Sequence, residues 1–149
     1  MHLDSQSRTS NNLAKVLLKN YWELNPAFID QEKDYLAEMQ AFVEIGDRTF
    51  GKHDQYPYVY DLAEIWQKFT GLPFVFAVWA ANKPIAEDFA IAFNVALKYG
   101  LDHRREVISE LPRHNNFDLK DYLMNRINFN LDNKKREALS RFLDLVKTL

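Results

Sequence analysis

The longest apolar stretch of the chain, LPFVFAVWAA at residues 72–81, constrains the fold more than any other feature. A strand with one solvated face alternates apolar and polar residues, whereas this stretch places apolar side chains on successive positions. That pattern predicts a strand buried on both faces, which occurs in a parallel or mixed sheet between layers of helices. The stretch is too short to cross a bilayer as a helix, which needs about 20 apolar residues, so no membrane contact is predicted.

Two helices are predicted in the first half of the chain. Residues 10–22 carry apolar residues at helical spacing, which predicts one buried face made of the following side chains: Leu13, Val16, Leu17 and Tyr21. Asp61 with Glu64 in the first turn is typical of a helix start, and Gly71 stands where that helix would end. The acidic residues 30–39 predict a short helix or a surface loop.

Further strands are predicted before residue 72. Residues 41–47 carry alternating apolar residues and predict a strand that ends at Gly46 and Asp47. Residues 58–60 predict another strand, and residues 2–4 a marginal one. The expected fold class is therefore α/β, with a small mixed sheet and helices on both faces.

Beyond Pro84 the patterns become helical, over residues 86–110, 118–127 and 132–149. In the last segment the apolar residues of one face are Leu139, Phe142, Leu143 and Val146. We therefore predict an α/β part over residues 1–82 and a helical part over residues 83–149. A small sheet would leave apolar helix faces uncovered, so we expect a homodimer, another partner over the C-terminal helices, or a missing part of the protein.

Composition and motifs exclude several classes of function. The net charge is −2 and Lys and Arg form no dense block, which argues against a nucleic-acid partner. The absence of cysteine excludes disulfides and thiol catalysis, and without a visible signal peptide we predict a cytoplasmic protein. The 4 histidines lack metal-ligand spacing, and neither a glycine-rich phosphate loop nor a Gly-x-Ser-x-Gly elbow is present. We therefore predict no metal site and no bound nucleotide.

Small hydroxyl residues and one arginine are concentrated where the first helix begins, in SQSRTS at residues 5–10. One Ser or Thr is enough to cap a helix, so the simplest interpretation is a cap within a solvated loop. The alternative is an anion site in which Ser7, Arg8, Thr9 and Ser10 join the free amides of the helix N-terminus. The planar guanidinium of Arg8 suits a carboxylate ligand.

Two other places are candidates for function. Gly46 and Asp47 follow a predicted strand, and ligands of open α/β sheets bind beyond the carboxyl ends of strands. Asp47 alternatively starts a simple turn. Tyr60 lies between a predicted strand and a helix and would orient a ligand, and the aromatic residues of segment 56–79 either pack the core or line a pocket for a flat ligand.

Three segments together resemble the MqnA family, the chorismate dehydratases of the futalosine route to menaquinone. They are LDSQSRTSNNLAKVL, IGDRTF and, most specifically, YVYDLAEIWQKFTGLPFVFAVWAAN. The related dihydroxynaphthoate synthases tend to carry a His-Glu pair where this chain has Gly46 and Asp47. The dehydratase is therefore the better match.

The resemblance implies a lyase with a two-lobed fold similar to type II periplasmic binding proteins. Residues 1 to about 80 resemble the second lobe, and the N-terminal lobe is expected to be missing. The substrate would be chorismate and the product 3-[(1-carboxyvinyl)oxy]benzoate, without a cofactor. By position, Ser7, Arg8, Thr9 and Ser10 would hold a carboxylate, with Gly46 and Tyr60 nearby, and Asp47 would be a polar contact or an acid or base.

Two alternatives to the dehydratase stay open at this point. The chain is alternatively a carboxylate-binding module without catalysis, because cleft-shaped binding proteins and enzymes share this architecture. A third interpretation is a truncated product without activity that dimerisation holds together.

Overall fold

The computed structural model describes residues 1–29, 41–112 and 117–149. The acidic segment 30–39, predicted as a helix or a loop, lies outside the described residues. The chain divides into two compact units, one of Met1–Val78 with Leu131–Leu149 and the other of Trp79–Asn130. The division after residue 82 inferred from the sequence, and the homodimer or other partner, stay predictions.

Helix α1 (Arg8–Asn20) is the first helix of the first unit. It begins earlier than predicted because Ser7 already serves as its N-cap. The predicted buried face is confirmed for Leu13, Val16 and Leu17. Tyr21 is the C-cap just after the last helical residue and is 39% exposed, although its ring meets that of Phe69 edge to face.

Helix α2 (Leu62–Thr70) has the ends that the sequence predicts. The Asp61 carboxylate accepts hydrogen bonds from the amides of Ala63 and Glu64, at 2.8 and 3.1 Å. At the other end Gly71 adopts a left-handed conformation with φ of 72°, which favours glycine. Capping thus determines both ends of α2 locally.

The core of the first unit lies where α1 and α2 meet a third helix, labelled α6 (Asn133–Val146) in chain order. Its buried side chains are Leu13, Val16, Leu17, Ile65, Trp66 and Phe142. Trp66 is the largest fully buried side chain, and its ring meets those of Phe74 and Phe142 edge to face at 5.5 and 5.9 Å. Its indole Nε1 has no hydrogen-bond partner within the described residues.

The predicted face of α6 is confirmed only in part. Phe142 is buried, and Val146 packs against the core. Leu143, however, is 50% exposed, whereas Ala138 is buried. The buried stripe of α6 therefore includes Ala138 and Phe142 rather than Leu143.

The second unit contains α3 (Glu87–Asp102), α4 (Arg104–Glu110) and α5 (Leu119–Asp121), and α5 continues into a π-helical turn at Tyr122–Arg126. The helical character predicted beyond Pro84 is thus confirmed. Arg104 ties the unit together, because its guanidinium donates to the carbonyls of Leu101 and Leu123. None of the residues of α3 is buried, and its exposed apolar side chains include Phe89, Ile91, Val95 and Tyr99.

The predicted α/β fold, with a mixed sheet of the periplasmic-binding-protein type, is wrong for the described residues. Isolated parallel bridges join His2 to Ile29 and to Phe42, and Phe117 is a further isolated bridge residue, but none of these described residues belongs to a strand. Segments 58–60 and 72–81 contain no strand, and Phe76 and Trp79 are 49% and 78% exposed. An apolar run favours an extended backbone, but a strand also needs a neighbour to receive its N–H and C=O groups. Within the described residues these two segments lack such a neighbour.

The core position of Trp66 predicts unequal costs for two tryptophan substitutions. Trp66→Ala is expected to lower the free energy of unfolding by about 3–5 kcal/mol, because it leaves a cavity among α1, α2 and α6. Trp79→Ala removes the same type of side chain from an exposed position, so the free energy of unfolding is expected to change by less than about 0.5 kcal/mol. Urea denaturation followed by circular dichroism measures both values. Equal losses would contradict the described core.

Candidate functional site

The N-terminus of α1 is partly closed by the chain itself and partly open. The Ser7 hydroxyl accepts a hydrogen bond from the Ser10 amide at 3.1 Å, which is the ordinary N-cap contact. The amides of Arg8 and Thr9, also in the first turn, have no acceptor within the described residues. Ser10 is buried. The capping interpretation therefore holds for Ser7, while two amides remain available to an anion.

An open depression of about 300 Å³ lies beside this helix start, and its lining residues are Leu3, Asp4, Ser5, Arg8 and Asn11. Arg8 is exposed and forms no ion pair within the part of the chain that the structure describes. Asn11 links the depression to α1, because its amide side chain accepts from the Asp4 amide and donates to the Asp4 carbonyl, at 2.9 and 2.7 Å. We call this depression with the open amides of Arg8 and Thr9 the α1 site.

A larger open groove, of about 610 Å³, runs along α6. It is lined by Glu137, Ser140, Arg141, Asp144, Leu145 and Thr148. None of these residues is a predicted site residue. The smaller depression, by contrast, is lined by the predicted site residue Arg8.

Asp4 is the residue of this region that the sequence did not reveal as functional. Its carboxylate accepts from the Gln6 amide at 2.9 Å, from the Ile45 amide at 3.2 Å and from the Arg48 guanidinium at 2.6 Å. The contact with the Gln6 amide is an Asx-type turn, for which an Asp shortly before a helix is the only sequence signal. Nothing in the sequence pairs Asp4 with Arg48, which lies 44 positions away.

The second predicted site, Gly46 and Asp47, lies in a 3-10 turn at Gly46–Thr49 rather than at a strand end. The flanking residues Ile45 and Arg48 both bind Asp4, so the turn is held next to the segment that leads into α1. Asp47 is exposed, and its carboxylate has no hydrogen bond or ion pair to the described residues. The structure thus brings the first two predicted sites into one neighbourhood.

Tyr60 lies at the opposite end of α1. It is 57% exposed, and its ring meets that of Trp22 edge to face at 5.5 Å. Trp22 follows the last turn of α1, and a helix of 13 residues is about 20 Å long. The length of the helix therefore separates Tyr60 from Arg8. The nearby Tyr56 and Tyr58 are also exposed, whereas Trp66 and Phe74 belong to the core.

No group of three or more His, Asp or Glu side chains in residues 1–29, 41–112 and 117–149 is arranged to hold a metal ion. In the same ranges, no helix combines the length and the apolar character that a membrane span requires. The prediction of a cytoplasmic location stays a prediction.

Substitution of Ser7 tests whether its hydroxyl stabilises α1 as the N-cap. Ser7→Ala is expected to lower the free energy of unfolding by about 1 kcal/mol, because the Ser10 amide loses its acceptor. Ser7→Asp is expected to restore it, since a carboxylate also caps a helix. Urea denaturation measures both. If Ser7→Ala is as stable as the unaltered chain, the hydroxyl is not needed as a cap and is free for a ligand.

The chain matches a known protein family over the whole region just described. A family model described as menaquinone biosynthesis matches residues 1–148. The match includes the α1 site, the turn at Gly46–Thr49 and Tyr60, so it covers every predicted site residue. It confirms the resemblance found in the sequence at the level of the family. The chain belongs to the menaquinone biosynthesis family.

Proposed function

We propose that the chain holds a carboxylate of chorismate at the α1 site, for the dehydration of chorismate in the futalosine route to menaquinone, as one part of that active site. Family membership supports the pathway. The observation that carries the proposal is the pair of open amides at Arg8 and Thr9 beside an arginine without an ion pair in the described residues.

The electrostatics of the α1 site favour a small anion. The first turn of a helix carries a partial positive charge, and free amides there donate directly to carboxylate oxygens. Arg8 adds a full positive charge and donors that match a carboxylate in two-point contact. The Ser7 hydroxyl already caps α1 and Ser10 is buried, so the binding groups are the Arg8 side chain and the two amides. The hydroxyl of Thr9 is a further donor at the same turn.

The chemistry asks for little beyond binding and proton transfer. Chorismate loses a ring proton and its ring hydroxyl, which leave together as water, and the ring becomes aromatic. This elimination needs an acceptor for the ring proton and a donor for the departing hydroxyl. Asp47 is exposed and lies in the turn next to the α1 site, which makes it the candidate acid or base of this chain. A carboxylate of the substrate itself is the other candidate base.

The binding step is tested by titrating chorismate into the chain and into Arg8→Ala. Loss of a charge-assisted contact of about 1.5–3 kcal/mol corresponds to a Kd increase of about 10- to 150-fold. Lys147→Ala is the matched control, because it also removes one positive charge, but far from the α1 site. Its neighbour Thr148 accepts a hydrogen bond from Lys19, which lies near the opposite end of α1. The control is expected to bind as tightly as the unaltered chain. Equal Kd values for the Arg8 variant and the unaltered chain would contradict the proposal.

A competition measurement separates the dehydratase from a general carboxylate-binding module. Under the proposal, 3-[(1-carboxyvinyl)oxy]benzoate competes with chorismate, and benzoate binds much more weakly. A general module would bind all three to a similar extent. Mass spectrometry after incubation with chorismate then tests whether the chain is a partial enzyme. Product formed by this chain alone would overturn that part of the proposal.

A further inference from the structure

We propose that Asp4 is a positioning residue, which holds Arg48 and the turn at Gly46–Thr49 beside the α1 site. The inference rests on the proposed function, because that function supplies the ligand for which the turn is positioned. The contacts of Asp4 with Ile45 and Arg48 are nevertheless measurable without any ligand. It assigns a role to a side chain that neither the composition nor the family match singles out.

The bonds of Asp4 connect two segments that are far apart in sequence. Its side chain is 2% exposed, and one carboxylate oxygen, Oδ1, accepts from the Gln6 amide just before α1. The other oxygen, Oδ2, accepts from the Ile45 amide and from Arg48 Nη2. Each oxygen thus serves a different segment. The carboxylate fixes the distance between the start of α1 and the turn that carries Asp47.

Stability alone is a weak reason for such a buried charge. Removing a carboxylate from water is costly, and a buried ion pair often stabilises a fold no more than apolar side chains of the same size would. A carboxylate next to an anion site also repels the ligand. Asp4 opposes ligand binding by its charge, so its contribution to the α1 site has to come from geometry.

The partner of Asp4 is suited to this arrangement. The Arg48 side chain is 44% exposed, and the guanidinium carries five N–H donors, of which its Nη2 contact with Asp4 uses one. The ion pair therefore orients a cation while leaving donors toward solvent. It also compensates the Asp4 charge close to the α1 site.

Charge and geometry predict opposite effects for Asp4→Asn, which makes the proposal testable. Removing a negative charge beside an anion site would tighten chorismate binding if only electrostatics mattered. Under the proposal binding weakens instead, because Asn keeps one acceptor oxygen, so its NH2 group must face donors on one side: the Gln6 amide, or the Ile45 amide and Arg48. Asp54→Asn is the control, since it makes the same charge change at a fully exposed carboxylate.

The readout that needs no ligand is amide hydrogen exchange measured by NMR, at Ile45, whose amide donates to Asp4, and at Phe50, whose amide donates to the Asp47 carbonyl of the turn. Loss of the charge-assisted contacts is expected to speed exchange of both amides by about tenfold or more in Asp4→Asn, and not in Asp54→Asn. Unchanged exchange in Asp4→Asn would overturn the proposal. If the unaltered chain binds no chorismate, the proposed function fails, while the exchange result still decides the role of Asp4.

Arg48→Gln provides a second route to the same answer. The Gln side chain still donates a hydrogen bond to the Asp4 carboxylate, but the buried carboxylate loses the cation that compensates its charge. Faster exchange of Phe50 is expected in Arg48→Gln. The double variant Asp4→Asn with Arg48→Gln pairs two neutral amides and is expected to recover part of the protection. Additive losses in the double variant would mean that the two residues act independently, and would overturn the proposal.

Discussion

The burial of Trp66 against α1 is the interaction on which the rest of the first unit depends. Leu13, Val16 and Leu17 present one face of α1 to α2 and α6, and Trp66 fills the space between the three helices. Aromatic side chains contribute most when they are buried edge to face with one another, as Trp66 is with Phe74 and Phe142. Because this packing holds α1 in place, it also determines where the helix N-terminus opens.

The α1 site combines local and long-range causes. The cap by Ser7 and the open amides that follow it are consequences of helix geometry, which any sequence with this start would share. The arrival of Arg48 and the turn with Asp47 depends instead on the Asp4 carboxylate. The α1 site and Asp47, the candidate acid or base, therefore become neighbours through the buried side chain of Asp4. The family match gives this neighbourhood a metabolic context without assigning a role to either group.

The failure of the predicted sheet has a specific physical origin. Residues 72–81 read as a buried strand because their side chains are apolar on both faces, and the backbone is indeed without helix there. Pairing, however, is a contact between segments, and sequence pattern alone says nothing about whether a neighbour is present. Where neighbours exist, as for His2 between Ile29 and Phe42, only isolated bridges form. For α3, by contrast, the pattern predicts both the helix and uncovered apolar side chains, and Ile91 and Val95 are exposed.

The sequence by itself determined both ends of α2, through the Asp61 cap and the left-handed Gly71, and the approximate extent of α1 through the spacing of its apolar residues, because these signals act over a few positions. It also determined the family, through short segments of specific residues. Only the tertiary structure decided that Asp4 meets Arg48, that Tyr60 lies a helix length from Arg8 and that no sheet forms within the described residues. These outcomes depend on contacts between distant segments, whose free energies no local pattern encodes.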